Sequence, residues 1–240
     1  MNNVMTLFRR EYAAYFNSPV AYIVVPVFLL FFGITFFFVP DLFTLNQTSM
    51  RRFFDLAPLV TAILAPAMTM RLLAEERRSG TIELLVTMPL REEEVVLGKF
   101  LGAFALMATG VLLTLPYAVT LANLGELDWG PVFGGYLGLL LLSGSYLAMG
   151  TLLSALSTNQ ITALFVALFL NVIFTLLVDV AAFLYVPSAL LPLVESLSFT
   201  RHFQNIARGV IDLRDVLFYL SVITIALYAA VHSLRMRRLS

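Results

Sequence analysis

The feature that most constrains this chain is a succession of long apolar runs. The hydrocarbon core of a bilayer is about 30 Å thick, so a helix that crosses it needs about 20 mostly apolar residues. Runs of this length use most of the sequence, which predicts an all-α, polytopic membrane protein with a single domain over residues 1–240. The six predicted spans are residues 21–39, 53–73, 97–121, 132–156, 161–186 and 216–234.

The composition excludes several other classes of protein. Hydrophobic residues make up 60% of the chain and charged residues 12%, whereas about a quarter of a soluble domain is charged. Lys plus Arg equals Asp plus Glu at 15 each, so no basic field attracts nucleic acid. The chain has no Cys and only two His, which argues against disulfides, thiolate chemistry and a metal site.

The distribution of positive charge predicts the orientation. With six spans, ten of the 15 basic residues fall on the side that holds both termini, and the other five fall on the opposite side. Cytoplasmic loops carry the excess of Lys and Arg, so we expect both termini in the cytoplasm of a bacterium and the chain in its inner membrane. The first apolar run lacks a small-residue cleavage site, so we expect no cleaved signal peptide.

Two further segments have helical spacing but do not span. Residues 4–16 place apolar side chains on one face and Arg9 and Arg10 on another, which predicts an amphipathic helix at the inner membrane surface. Between spans five and six, residues 188–197 and 203–211 predict short external helices. The candidate residues of this external segment are His202, Arg208, Gly209 and Asp212.

The loop between spans two and three is the most informative stretch. Four charged residues precede the Ser79-Gly80-Thr81 helix start, and Pro89 ends the short helix that follows. Ile82, Leu85 and Val86 share one face of that helix. Such a helix suits either docking into a groove of a cytoplasmic partner or lying on the membrane, and composition alone leaves both readings open.

The chain carries no motif for chemistry of its own. It has no P-loop, no zinc-protease motif and no nucleophile-elbow serine, so we expect no catalytic residues and no enzyme activity. Asp179 lies in the fifth predicted span, about two turns after Asn171. An acid in a span is a functional candidate, although an earlier end of the span would place Asp179 at the outer interface.

The ordered motifs of the loop resemble those of a known family. The run Glu75-Glu76-Arg77-Arg78-Ser79-Gly80-Thr81-Ile82-Glu83-Leu84-Leu85, then Thr87-Met88-Pro89 and Gly98-Lys99-Phe100, resembles the cytoplasmic segment of ABC-2-type transporter permeases. The segments Arg10-Glu11-Tyr12, Ser157-Thr158-Asn159-Gln160 and His202-Phe203 are similar to other parts of that family. The combination most resembles the gliding-motility-associated ABC permease, with the nitrous-oxide-reductase maturation permease as a relative.

This resemblance implies a complex in which one kind of subunit spans the membrane and another hydrolyses ATP. Two permease copies, or this permease and a similar one, would form a dimer in the lipid bilayer, and a separate cytoplasmic ATPase would bind ATP and Mg. No cofactor would bind to this chain. Spans two and five would line the dimer axis and bring Asn171 and Asp179 to the path. The residues implied in ATPase coupling are Glu75, Glu76, Arg77, Arg78, Gly80, Thr81, Ile82, Glu83, Leu85, Val86 and Pro89.

Three functions follow from these observations, in decreasing order of support. The first is a permease subunit of an ATP-driven exporter. The second is a mechanotransmission subunit that passes force to a periplasmic auxiliary protein without moving a solute. The third is an intramembrane lipid-modifying enzyme, which the absence of a cluster of nucleophile, base and metal ligands disfavours.

Overall fold

The computed structural model describes residues 2–38, 49–75, 91–177, 180–181, 187 and 190–238. Within these residues the chain is helical, with ten helices numbered here in chain order. Their bounds are α1 Asn2–Phe16, α2 Pro19–Phe38, α3 Arg51–Thr69, α4 Glu92–Leu112, α5 Leu115–Leu124, α6 Trp129–Leu156, α7 Gln160–Thr175, α8 Leu191–Leu197, α9 Phe199–Ala207 and α10 Leu213–Arg238.

Helix α6 is the centre of the bundle. It packs against α3, α4, α7, α9 and α10, and its 28 residues make it about 42 Å long. Glycines allow these close contacts: a Cβ on Gly150 would collide with the side chain of Thr69 in α3, and one on Gly134 would collide with the Ile206 carbonyl in α9. Small residues let helix backbones approach in this way within a membrane bundle.

Contacts between helix ends define two ends of the bundle. The end that holds α1 and the C-terminus of α10 is called the proximal end, because Arg235 pairs with Glu93 there. The end that holds α8 and α9 is called the distal end, because the N-termini of α3, α6 and α10 pack against α9 there. Consecutive long helices alternate in direction between these two ends, so residues 76–90 connect two helix ends that are both proximal.

The observed helices correct the predicted bounds of several spans. The predicted span 53–73 is helical from Arg51 to Thr69 and continues as a turn. The predicted span 97–121 lies within one long apolar span, Glu92–Leu124, which a turn just before Pro116 divides locally into α4 and α5. The described helix within 161–186 ends at Thr175. Pro26, Pro58 and Pro66 lie inside continuous helices.

Four of the described helices are long and apolar enough to cross a membrane, and a fifth is added if a bent pair of helices counts as one span. The four are Arg51–Thr69, Glu92–Leu124, Trp129–Leu156 and Leu213–Met236. The bent pair consists of α1 and α2, which meet at 74°. Gln160–Thr175 is apolar but shorter. The protein is therefore a multi-pass helical membrane protein, and the total of six spans stays a prediction.

Helices form where two of the non-spanning segments were predicted, with different bounds. Helix α1 covers residues 4–16, while its position at a membrane surface stays a prediction. The two helices predicted to be external are Leu191–Leu197 and Phe199–Ala207. Ser198 caps the second helix, since its Oγ accepts the amide N–H of Arg201 at 3.3 Å. It ends before residue 211 because Gly209 has φ +87°, a left-handed conformation that ends helices.

Candidate functional site

The predicted coupling residues lie almost entirely in residues 76–90, called here the coupling segment. At the proximal end, buried hydrogen bonds hold the chain at a junction just before this segment. After α3, the amide N–H groups of Leu73 and Ala74 both donate to Ser154 Oγ of α6, each at 3.1 Å. The same hydroxyl donates to the Met70 carbonyl at 3.1 Å. All three hydrogen bonds are buried or partly buried, and Ser154 is fully buried. One side chain therefore fixes the chain to α6 immediately before the coupling segment.

Helix α1 reinforces the same junction. The hydroxyl of Tyr15 donates to the Met68 carbonyl at 2.9 Å, and Arg71 donates to Ser18 Oγ at 2.6 Å. The Arg71 guanidinium also lies 5.9 Å from the centre of the Tyr15 ring. Burial raises the pKa of Tyr15, with a further rise from Glu11 and an opposing effect of Arg71. The phenol therefore stays neutral and keeps its donor proton near neutral pH.

The chain leaves the coupling segment through a second anchored point. Glu94 accepts the backbone N–H of Arg91 at 3.0 Å in a capping box, and Asn3 of α1 donates to the same carboxylate at 3.2 Å. Lys99 and Glu11 form a salt bridge of 2.9 Å, with side chains only 5% and 14% exposed. These contacts hold the start of α4 against α1.

The predicted coupling residues themselves fall mostly outside the described residues. Of the set, Glu75 is described: it is exposed, helical and the last described residue before residue 91. The others, Glu76, Arg77, Arg78, Gly80, Thr81, Ile82, Glu83, Leu85, Val86 and Pro89, lie outside the described part. Their role in coupling stays a prediction.

The polar candidate in the interior is fully buried. Asn171 on α7 has no exposed surface, and neither its Nδ2 nor its Oδ1 has a hydrogen-bond partner among the described residues. One turn later, Thr175 donates to the Asn171 carbonyl at 2.6 Å and lies 2.5 Å from the Tyr146 hydroxyl. Asp179 lies outside the described residues, so its place on the path stays a prediction.

At the distal end, His202 joins three elements. Its Nδ1 lies 2.6 Å from the Asp215 carboxylate of α10, and its Nε2 lies 3.0 Å from the Ser196 carbonyl of α8. The ring stacks on Phe218 at 3.9 Å between centroids. Asp215 is 4% exposed, so the histidine has the structural role of satisfying a buried carboxylate.

The other external candidates do not converge on His202. Arg208 is exposed at the C-terminus of α9, and Gly209 forms the left-handed turn. Asp212 accepts the backbone N–H of Arg214 at 2.9 Å and so caps the start of α10. These residues shape the turn between α9 and α10, and they do not form a reactive cluster.

Sequence reasoning missed Ser154 and Asp215 as site residues. Serine in a span is common, and the partners of Ser154 are 80 and 81 residues away in sequence, so no local pattern indicates it. For Asp215 a signal existed, since it directly precedes the predicted span 216–234, and an acid at the edge of a span needs a partner when it is buried. In the part of the chain that the structure describes, no group of three or more His, Cys, Asp or Glu could hold a metal ion.

The fold and these contacts define a multi-pass membrane protein whose described ion pairs and hydrogen bonds fasten helices together. The comparison with protein families then gives the family. A model of the ABC-2 family transporter protein family matches residues 34–235, so this chain belongs to that family. Comparison with curated proteins gives no significant match. The chain is thus a membrane permease of an ABC transporter, a component that is generally non-catalytic and that implies an ABC ATPase partner.

Proposed function

We propose that this chain is the membrane subunit of an ATP-driven exporter and that residues 80–88 dock into its ATPase. Movement of the docked segment would reorient the spans and change access to a path along the dimer axis. The nucleotide and Mg bind to the ATPase, and the spans of this chain open and close the path. The proposal places the proximal end in the cytoplasm and the protein in the bacterial inner membrane.

The observation that carries this proposal is the anchoring on both sides of residues 76–90. On the entry side, Ser154 ties the chain to α6 through three hydrogen bonds. On the exit side, Glu94 ties the start of α4 to α1. These hydrogen bonds lie close to both ends of the segment. A displacement of the segment would therefore be passed directly to α3, α4 and α6. A connection without coupling would not need such fixed ends.

A second copy of the chain would complete the permease. On α7, Ile161, Phe165 and Phe169 are 62%, 63% and 64% exposed and recur every four residues on one face. This apolar stripe supports fifth spans that face each other across the dimer axis, as the family resemblance implies. Within the family, the motifs of the loop favour the gliding-motility-associated subfamily.

Purification of the complex tests the docking role of residues 80–88. The chain is co-expressed with candidate ABC ATPase subunits from the same organism, and Leu85→Asp is compared with Leu85→Met, which conserves size and polarity. We expect Leu85→Asp to lose about 90% or more of the co-purified ATPase, because a buried unpaired charge in an apolar interface costs several kcal/mol. Leu85→Met should retain it, and the mass of the complex reports whether two permease copies are present.

An unchanged ATPase yield and ATP turnover in Leu85→Asp, at equal membrane insertion of the two variants, would contradict docking through this helix face. Co-purification of the ATPase with both variants, with ATP turnover that depends on the permease equally in both, would place coupling elsewhere in the chain.

A mechanotransmission role is a second candidate, and the distal surface favours it. Helix α8 and the residue before it expose three leucines: Leu190 is 49% exposed, Leu193 62% and Leu197 52%. These side chains provide apolar area for an external protein. In this reading the same ATPase drives the spans, and α8 passes the movement on. A periplasmic protein that co-purifies and is lost in Leu193→Asp, with no solute transported in vesicles, would favour this candidate over export.

A further inference from the structure

A cavity of about 430 Å³ opens at the distal end between three elements. Its wall includes the first turn of α3, the turn before α6 and the C-terminus of α9. This volume is within the range of about 300–1,000 Å³ that is common for small-ligand sites. None of the predicted roles of this chain uses the cavity, although Arg208 contributes to its wall.

The wall carries two guanidinium groups and two carboxylates. Arg51 and Asp55 lie one turn apart on α3, and Arg208 approaches from α9. All three are exposed, and none of them forms a salt bridge with a residue in the described ranges. Asp128 uses one carboxylate oxygen to accept the backbone N–H of Gly130 at 3.0 Å. The cavity therefore offers charges of both signs and a net charge near zero.

The remainder of the cavity is apolar. Phe54 and Phe203 line it and are themselves only 3% and 1% exposed, so the floor is rigidly packed. Near the lining residues in sequence, Trp129 and Phe133 on α6 are 46% and 72% exposed, and Val210 after α9 is 72% exposed. Exposed aromatic residues of this kind concentrate where helices enter the headgroup region of a bilayer.

We propose that this cavity binds a phospholipid with a phosphoethanolamine headgroup from the adjoining leaflet. The guanidinium groups of Arg51 and Arg208 suit the phosphate, because a planar guanidinium pairs with phosphate through two parallel hydrogen bonds. The carboxylate of Asp55 suits the primary ammonium, which can donate three hydrogen bonds. The exposed apolar residues close to the lining positions in sequence suit the acyl chains. A soluble zwitterion would not need them.

The single tryptophan of the chain makes this proposal directly testable. Trp129 directly follows the lining residue Asp128 in the sequence, so we expect brominated lipid bound in the cavity to quench its fluorescence. The full chain is reconstituted in phosphatidylcholine vesicles that contain brominated phosphatidylethanolamine, phosphatidylcholine or phosphatidylglycerol at equal mole fraction. We expect the strongest quenching from phosphatidylethanolamine, since the quaternary ammonium of phosphatidylcholine has no N–H to donate and phosphatidylglycerol has no cation.

Variants assign the preference to the cavity. Arg208→Gln and Asp55→Asn should each raise the mole fraction for half-maximal quenching by about tenfold, as one charge-assisted hydrogen bond is lost. The matched control is Arg214→Gln, because Arg214 is an exposed arginine of the same end that does not line the cavity. Its quenching curve should equal that of the unmodified chain.

Three results would overturn the proposal. Equal quenching by all three headgroups would show contact with bulk lipid only, and stronger quenching by phosphatidylglycerol would show an anion site. Relief of quenching by soluble phosphoethanolamine at the same concentration as the lipid would show that the acyl chains add nothing. None of these results depends on ATP or on the ATPase, so export can fail or hold independently.

Discussion

At the scale of the residue, Ser154 is the side chain that holds the end of α3 against α6. Its hydroxyl satisfies two amide N–H groups and one carbonyl of the chain that leads to residue 75. The Ser154→Ala variant leaves those two buried donors without an acceptor, so we expect a loss of about 1–3 kcal/mol in the free energy of unfolding. The measurement is reversible unfolding in mixed micelles, together with permease-stimulated ATP turnover, which should fall.

A buried threonine one turn earlier on the same helix provides the control. Thr151 is fully buried, and its hydroxyl donates to the Leu147 carbonyl of its own helix at 2.7 Å. Thr151→Val should therefore change stability by less than Ser154→Ala and leave ATP turnover intact. Equal effects of the two variants would mean that Ser154 has no special part in holding the junction.

At the scale of the element, the crossing of α1 over α4 combines close approach with a buried charge pair. A Cβ on Gly98 would lie 2.6 Å from the Cβ of Leu7, and one on Gly102 would lie 2.8 Å from the Cβ of Glu11. The small residues bring the backbones together, and this closeness places Glu11 at 2.9 Å from Lys99. Close backbone packing at the glycines and the Glu11–Lys99 salt bridge therefore both hold α1 against α4.

A double-mutant cycle measures the charge pair. We expect Lys99→Met alone to lower the free energy of unfolding by about 3–5 kcal/mol, because it leaves a mostly buried carboxylate without its partner. Adding Glu11→Gln to Lys99→Met should recover part of that loss, since the stranded charge is then removed. The measurement is the unfolding midpoint and slope of the three variants and the unmodified chain in the same micelles.

If the double variant is as unstable as the sum of the two single variants, the salt bridge does not couple α1 to α4. In that case the packing at Gly98 and Gly102 would account for the contact, and Gly102→Leu should be the more damaging change.

At the scale of the whole molecule, the alternating direction of the helices predicts which segments share a side of the membrane. The chain contains no Cys, so single cysteines can be introduced without removing any. We expect a membrane-impermeant maleimide to label Asn205→Cys in intact cells, because Asn205 is exposed on α9 at the distal end. Ser79→Cys and Ser240→Cys should react only after the cells are opened.

Labelling of Ser79→Cys and Asn205→Cys from the same side would contradict both the helix directions and the proposed docking of the coupling segment. Labelling of Asn205→Cys only in opened cells, with Ser79→Cys labelled from outside, would keep the fold but reverse its orientation, and would exclude a cytoplasmic ATPase partner for this segment.

The outcome for individual elements shows what local pattern can predict. The apolar run that becomes α6 was predicted to end at residue 156 and does so, because Asn159 caps the next helix and accepts the Ile161 N–H. Pro116 was expected to kink the third predicted span, and the structure has a local turn just before it, between α4 and α5, within the single span Glu92–Leu124. A proline fits either place, so only the neighbouring packing decides between a kink and a break.

The sequence by itself determined the class of fold, since about 20 apolar residues in succession form a helix wherever water is excluded and every backbone group must be paired within its own segment. It also indicated the loop that makes the family resemblance. The tertiary structure decided which polar groups meet: Ser154 with the end of α3, Glu11 with Lys99, and the two arginines with the distal cavity. These partners are far apart in sequence, and their meeting depends on how rigid helices cross, which no local periodicity contains.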